Sequence, residues 1–371
     1  MRSLKILHTA DLHLDSPFEY MSAAHAVIRR SEQRQLLDRL ADLARINNVD
    51  IVLMSGDLFE SAMTYAETEE QLARSLRAMA VPVFIAPGNH DYYSPTCRYR
   101  RMRLPANVHI FTENKIECVE LEELNVCVYG AAFTDRVSPA LLKDFHAPRK
   151  KGMYNVLCIH GEVGAPQSPY DPITENELAC SGMDYAALGH IHSASGLRQA
   201  GGTWYSWPGC PEGRGFDETG EKYVNLVELS EDGCSLEQIS IAKRCYRVLN
   251  VDVSAKEPLI AIHTSLPDDT VNDIYRIILT GECDTAPDVA SLYSNLSELF
   301  FELQIRDLTK LRRDIWEKAG EDTLRGIFLK NLRAKYESAE DDAGRTLIEQ
   351  AARWGLAALD NGEEVAVHED K

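Results

Sequence analysis

The sequence predicts an α/β fold: a two-layer β-sheet core flanked by helices, then a small α+β cap and a helical C-terminal segment. Three observations predict it. Up to Ala86, short apolar runs alternate with segments of helical period, the pattern of crossover units around a buried sheet. From residue 107 the strand-like runs crowd together with fewer helices between them. Beyond residue 310 only helical stripes remain.

Leu4–His8 reads as a strand, followed by a loop and a helix over Ser31–Ile46 whose Leu36, Leu37, Leu40 and Ala44 share one face. Ile51–Met54 is a short apolar strand closed by Ser-Gly. Glu67–Met79 is helical through Leu72, Leu76 and Met79, and Val81–Ala86 is a strand ending at Pro87-Gly88. Further strands are expected at Asn107–Phe111, Ile116–Leu121, Val126–Gly130, Val156–Ile159, Ala186–Leu188, Tyr205–Trp207, Tyr223–Leu229 and Leu236–Ala242. A second unit begins near Tyr246. There Leu249–Val253, Asp273–Leu279 and Phe301–Ile305 alternate as strands with helices at Pro258–Ser265 and Val289–Leu299. The expected division is therefore 1–245, a small α+β cap at 246–312, and a helical segment at 313–371. In that last segment Leu324, Ile327, Phe328, Leu332 and Tyr336 form one stripe, and Leu347, Ile348, Ala351, Ala352, Gly355 and Leu359 another. Asp360-Asn361-Gly362 ends the second helix, and the charged tail from Glu363 to Lys371 is expected to be mobile.

Composition bounds the function. With 371 residues, 44% hydrophobic and 26% charged, the chain is ordinary globular protein with room for a sizeable core. Acidic residues outnumber basic ones by 58 to 39, for a net charge of −19. That argues against coating nucleic acid by bulk charge, and leaves a metal site or a local basic patch to bring phosphates in. Nine cysteines lack the paired spacing of a disulfide framework or a zinc ribbon. Asp11 and His13 arrive before any apolar stretch long enough for a signal peptide, and no run approaches the roughly 20 apolar residues that span a bilayer. A reduced, cytoplasmic protein without a membrane partner is expected.

Five clusters carry chemistry: Asp11-Leu12-His13, Gly56-Asp57, Gly88-Asn89-His90-Asp91, His160-Gly161 and Gly189-His190-Ile191-His192. Each follows a strand-like run, so each delivers polar groups to a strand end, where ligand sites collect in sheets of this kind. Two carboxylates, four imidazoles (His13, His160, His190 and His192) and one carboxamide form an O/N ligand set without thiolate, suited to manganese, iron or zinc. Seven ligands are too many for one ion that must keep a place for substrate. They suit two ions about 3.5–4 Å apart bridged by one carboxylate, and Asp57, alone on its strand end, is the natural bridge. Such a pair acidifies a shared water and binds a phosphoryl oxygen, which makes a phosphoester the expected substrate class. Isolated histidines near strands, such as His8, His109 and His263, are read as structural.

This ordered set resembles the calcineurin-like metallophosphoesterase superfamily. The text around it, Ile6-Leu7-His8-Thr9-Ala10-Asp11-Leu12-His13-Leu14-Asp15-Ser16-Pro17-Phe18 and Ser55-Gly56-Asp57-Leu58-Phe59, is similar to its SbcD-like DNA-repair exonuclease branch. Within that branch it resembles the YhaO-like group, to which Pro208-Gly209-Cys210-Pro211-Glu212-Gly213-Arg214-Gly215-Phe216-Asp217 is also similar. The resemblance covers residues 4 to about 222. It implies the metallophosphoesterase fold, with Asp11, His13, Asp57 and His192 around one metal and Asp57, Asn89, His160 and His190 around the other. It further implies that manganese is the usual ion, with Fe2+, Zn2+ or Mg2+ as alternatives, and that His90 faces the leaving group without ligating. Glu60, Ala10 and Leu12 depart from some relatives and are not expected to be ligands.

The expected function is a dinuclear-metal phosphodiesterase acting on DNA, an exonuclease with single-strand endonuclease action. His90 is the general-acid candidate because an imidazole carries a transferable proton near neutral pH, and Asp91 is expected either to orient it or to cap the turn. Arg98, Arg100, Arg101 and Arg103, just after the Asn-His-Asp loop, and Arg214 are expected to contact DNA phosphates. By resemblance, a coiled-coil ABC-type ATPase, SbcC-like, is the companion, with its contact near residues 313–360, and the nuclease is often a dimer. The alternatives are a phosphoesterase for cyclic nucleotides, phosphoproteins or pyrophosphate compounds, and a non-catalytic adaptor of an ATPase.

Overall fold

The computed structural model describes residues 2–61, 64–283, 285–311 and 315–361; the expected helix stop at Gly362 and the tail beyond it lie outside them. Through residue 240 the strands are β1 (Leu4–Thr9), β2 (Ile51–Met54), β3 (Val83–Ile85), β4 (Val108–Ile110), β5 (Glu117–Leu121), β6 (Val126–Gly130) and β7 (Tyr154–His160). They continue with β8 (Glu162–Val163), β9 (Pro172–Ile173), β10 (Tyr185–Gly189), β11 (Arg198–Ala200), β12 (Thr203–Ser206), β13 (Tyr223–Ser230) and β14 (Gly233–Ser240). Helices α1 (Ala23–Ile46), α2 (Ala66–Met79) and α3 (Glu175–Cys180) lie between them.

Two six-stranded sheets result, in the orders β14-β13-β1-β2-β3-β4 and β11-β12-β10-β7-β6-β5. The alternation of side chains along each strand explains how they stack. Leu4, Ile6, Ile51, Leu53 and Phe84 from the first sheet meet Val126, Val128, Val156, Cys158 and Ala187 from the second in one buried cluster. The opposite face of the first sheet, with Leu7, Val52, Met54 and Ile85, packs against Leu36, Leu40, Leu72 and Leu76 of α1 and α2. The outer face of the second sheet covers Leu178 of α3 with Leu157, Ile159, Ala186 and Leu188. The fold is thus mixed α/β, two multi-stranded sheets flanked by helices.

Helix α1 starts eight residues before the expected Ser31, capped by Ser22, whose hydroxyl accepts from the His25 amide at 3.2 Å. Its early turns bury Arg29, Glu32 and Gln33, polar residues that hide the helical period of apolar ones. Contact density divides the chain into one unit of residues 1–249, 266–277 and 293–305 and another of 250–265, 278–292 and 306–371. In the second unit, helices Leu324–Glu337 and Asp342–Asn361 pack on each other through Phe328, Leu329, Leu332, Ile348 and Ala352. Leu324, Ile327, Leu347, Trp354 and Leu359 remain exposed, so the two stripes are only partly spent on this packing. Among the described residues no helix is long and apolar enough to cross a membrane.

Candidate metal centre

The directions of the strands decide where the polar clusters go. β1, β2 and β3 run parallel, as do β6, β7 and β10, so the loops after β1, β2, β3, β7 and β10 all leave from carboxyl ends. Asp11 and His13 follow β1, Asp57 follows β2, Asn89 and His90 follow β3, His160 ends β7, and His190 and His192 follow β10. Pairing continues past the strands: the Asp11 amide donates to the Gly56 carbonyl at 3.0 Å and the His13 amide to that of Asp57 at 2.9 Å. Asp11, His13, Asp57 and His190 all adopt positive φ, between 43° and 92°, a conformation costing about 1–3 kcal/mol each and found where function requires it. Glycine is required at Gly189, where a Cβ would sit 1.7 Å from the Ser55 carbonyl oxygen.

All seven ligand candidates meet there. His13 Nε2 lies 3.2 Å from His192 Nε2 and 3.8 Å from Asp57 Oδ2. His160 Nε2 is 2.9 Å from Asn89 Oδ1 and 3.5 Å from Asp57 Oδ2, while His190 Nδ1 is 3.3 Å from the same Asn89 oxygen. Ligand atoms of Asp11, His13 and His192 lie within 4.8 Å of one another, as do those of Asp11, Asp57 and His160. Asp11, His13, Asp57 and His160 are fully buried.

The electrostatics fit cations. Burial pushes the Asp11 carboxyl up to about 8, and the neighbouring Asp57 adds to the rise, because two buried carboxylates repel without a positive charge between them. Burial also pulls His13, His160 and His190 down to about 4, which keeps their imidazoles in the neutral, ligating form. His160 Nδ1 donates to the Ser55 carbonyl at 2.9 Å, so its Nε2 turns a lone pair toward Asn89. His192 Nδ1 donates to Glu218 at 2.7 Å, so its Nε2 faces that of His13 as an acceptor. A cation between such nitrogens resolves what is otherwise an electrostatic conflict, and the donor set suits a pair of divalent ions.

A family model for the calcineurin-like phosphoesterases matches residues 4–194. The chain belongs to that family. Calcineurin-like phosphoesterases are dimetal hydrolases, in keeping with the clusters described above. The metallophosphoesterase YhaO of Bacillus subtilis is 27% identical over 372 residues, covering 93% of this chain and 88% of that protein. The DNA double-strand break repair protein Mre11 of Saccharolobus solfataricus is 28% identical, covering 75% of this chain and 76% of that one. SbcD, a component of the B. subtilis nuclease SbcCD, is 35% identical over 61% of this chain and 66% of its own length.

The remaining candidates divide. His90 stands beside the cluster, its ring edge-on to His13 at 4.8 Å and its Nδ1 donating to the Glu60 carbonyl at 3.0 Å. Among the described hydrogen bonds, none joins Asp91 to the His90 ring. The Asp91 carboxylate accepts from the amides of Gly88 and Leu58 at 2.8 Å, from Phe59 at 3.3 Å and from the Tyr99 hydroxyl, which makes it the tie between the loops of Asp57 and Asn89. Arg100, Arg101 and Arg103 are exposed, with Arg100 over the Tyr93 ring, whereas Arg98 pairs with Glu69 at 3.4 Å. Arg214 departs most from expectation. Its guanidinium is half-buried and bonded to Glu60 and Glu218. Sequence reasoning named Glu60 only as a non-ligand and missed Glu218, and also Arg136, Tyr92 and Tyr170. These last three line a cavity of about 360 Å³ with Asn89 and His90, and Tyr170 lies 4.8 Å from the His190 ring. No motif marked them; only the Gly-Arg-Gly-Phe-Asp-Glu run around Arg214 could have drawn attention to Glu218.

Proposed function

We propose that this phosphoesterase is a DNA phosphodiesterase, an exonuclease with single-strand endonuclease action in DNA repair, using two Mn2+ ions. In this reading Asp11, His13, Asp57 and His192 hold one ion and Asp57, Asn89, His160 and His190 the other. The observation that carries it is the convergence of these seven side chains at the strand ends around Asp57, beside an accessible His90. The names of two relatives, a DNA double-strand break repair protein and a nuclease component, support the substrate class.

Two divalent ions bound there supply Lewis acidity to phosphoryl oxygens and acidify water. The chain's own residues do the rest. The buried, neutral imidazoles and the rigid strand ends keep the ligands in place and exclude bulk water. His90, with Nδ1 committed to the Glu60 carbonyl, gives its other ring proton to the departing sugar oxygen. Arg136 in the adjoining cavity and the exposed Arg100, Arg101 and Arg103 neutralise neighbouring phosphates, and Tyr92 and Tyr170 offer apolar faces to the nucleotide. Residues 1–245 form the nuclease domain, 246–312 a cap, and 313–371 the contact for a coiled-coil ABC-type ATPase in the cytoplasm. The exposed Leu324, Ile327, Leu347 and Trp354 support that contact.

The test strips metal with a chelator, restores Mn2+, and compares end-labelled DNA, bis-p-nitrophenyl phosphate and a phosphomonoester. Cleavage of DNA and of the small diester is expected; turnover of the small substrates alone sinks the DNA reading. His90→Ala is expected to retain both Mn2+ ions and lose roughly 10²–10⁴-fold in turnover. Activity near wild type in that variant removes His90 from the mechanism.

A further inference from the structure

We infer that Arg214, Glu60 and Glu218 form a clamp that holds His192, beside His13, in the tautomer and orientation needed to ligate one ion of the pair. The inference rests on the metal-pair reading above and assigns Arg214 a role other than DNA contact.

The geometry is a chain of charges. Arg214 Nη1 donates to Glu60 Oε2 at 2.6 Å, and Nη2 donates to Glu218 Oε1 at 2.6 Å. The backbone amide of Arg214 also donates to Glu218 Oε2, at 2.8 Å. Glu218 Oε1 accepts from His192 Nδ1 at 2.7 Å, and Glu60 Oε2 stands beside the other imidazole, 3.0 Å from His13 Nδ1 but outside hydrogen-bonding geometry. The Nε2 of His192 is thereby turned toward that of His13, 3.2 Å away, where Asp11 also converges. A carboxylate on the far nitrogen of a ligating histidine fixes its tautomer and raises its basicity. Here one guanidinium aligns that carboxylate and also Glu60, a task for a planar fork of donors that a lysine ammonium cannot match.

Burial makes the pairing obligatory. Glu218 is 5% exposed and Arg214 18%, so neither charge finds much water as a substitute partner. The loop that delivers Arg214 is itself fixed. Fully buried Arg29 of α1 donates to Glu212 at 2.7 Å and to the Gly213 carbonyl at 3.1 Å, the two residues that precede Arg214. Ser16 adds a hydroxyl to Glu60 Oε2 at 3.3 Å and to the His13 carbonyl at 2.6 Å. The second ion's histidines lie outside this clamp: His160 is anchored on the Ser55 carbonyl, and His190 Nδ1 faces its fellow ligand candidate Asn89, so the clamp serves one ion only.

The test uses the full chain, metal-stripped and titrated with Mn2+ alone, for wild type, Glu218→Gln, Arg214→Ala and Arg214→Lys, with folding checked by circular dichroism. Bound Mn2+ is counted and its electron paramagnetic resonance recorded. Wild type is expected to fill two sites and show the spectrum of a coupled pair. In the variants one affinity is expected to fall about 10–100-fold while the other holds, leaving the spectrum of an isolated ion. Glu218→Gln, which keeps an acceptor for His192 and removes only charge, is expected to lose less than Arg214→Ala and decides the matter if the latter does not fold. Variants that match wild type in both affinities, or that weaken both ions equally, overturn the clamp. So does an Arg214→Lys protein with unaltered Mn2+ binding but a shallower salt dependence on DNA, the behaviour of a phosphate contact. Wild type that binds fewer than two ions overturns the metal-pair reading instead.

Discussion

Asp171 shows how much a single buried group can contribute beside this centre. Its carboxyl is fully buried, accepts from the Leu141 amide at 2.7 Å through one oxygen, and leaves the other without a partner among the described residues. Burial pushes its pKa from 3.8 up to about 7. The folded state therefore holds the proton more tightly than the unfolded chain. The stability this group contributes is complete below pH 3.8 and is lost as pH rises through 7. Asp171→Asn removes the titration, so the difference in unfolding free energy between wild type and variant should shift by roughly 2 kcal/mol against wild type between pH 5 and pH 8. Urea unfolding at the two pH values checks it; a constant difference refutes it. Nothing in the sequence marks Asp171, because a carboxyl's burial is a property of what folds over it. The same limit explains Arg214: an arginine reads alike in sequence whether a phosphate or a carboxylate awaits it. The ligand candidates were legible because their residue types announce metal chemistry at short spacing.

Among the elements, the loops are held to one another as firmly as the strands are. Asp91 receives three backbone amides and the Tyr99 hydroxyl, and so joins the turn after β2 to the turn after β3 and to the short helix Arg98–Arg100. Asp91→Ala leaves those buried donors without acceptors. At about 1–3 kcal/mol for each unsatisfied group, less whatever water recovers, a loss of several kcal/mol is expected. Chemical denaturation measures the loss, and Mn2+ affinity should fall with it because Asp57 and Asn89 stand on the joined turns. A change below about 1 kcal/mol would assign the tie to the rest of the loop. At this scale the strands were readable where they are continuous apolar runs, as in Ile51–Met54 and Val126–Gly130, both wholly buried. Short elements such as β8, β9 and β11 were not, since two or three residues carry no period. The first two turns of α1 were hidden by residues such as Arg29, whose buried ion pair with Glu32 stands where the helical pattern calls for apolar side chains.

For the whole molecule the governing tension is a net charge of −19 on a protein read as binding a polyanion. Long-range attraction cannot recruit DNA to such a surface, so recruitment falls to local cations near the metals. With Arg214 held by Glu60 and Glu218, and Arg98 paired with Glu69, the proposed DNA reading assigns that role to the exposed Arg100, Arg101 and Arg103 beside Arg136. Each phosphate they neutralise releases counterions, and for single strands the logarithm of affinity falls by about 0.7 per contact for each tenfold rise in salt. Replacing Arg100, Arg101 and Arg103 with alanine should therefore weaken DNA binding at low salt and reduce the salt slope by about 2. Hydrolysis of bis-p-nitrophenyl phosphate, which lacks the neighbouring phosphates these side chains would neutralise, should stay within twofold to threefold of wild type. Equal losses on both substrates would mean that the arginine run supports the Asn89–Asp91 turn and does not grip DNA. An unchanged slope would leave the acidic surface to be overcome by Arg136 and the metal pair alone.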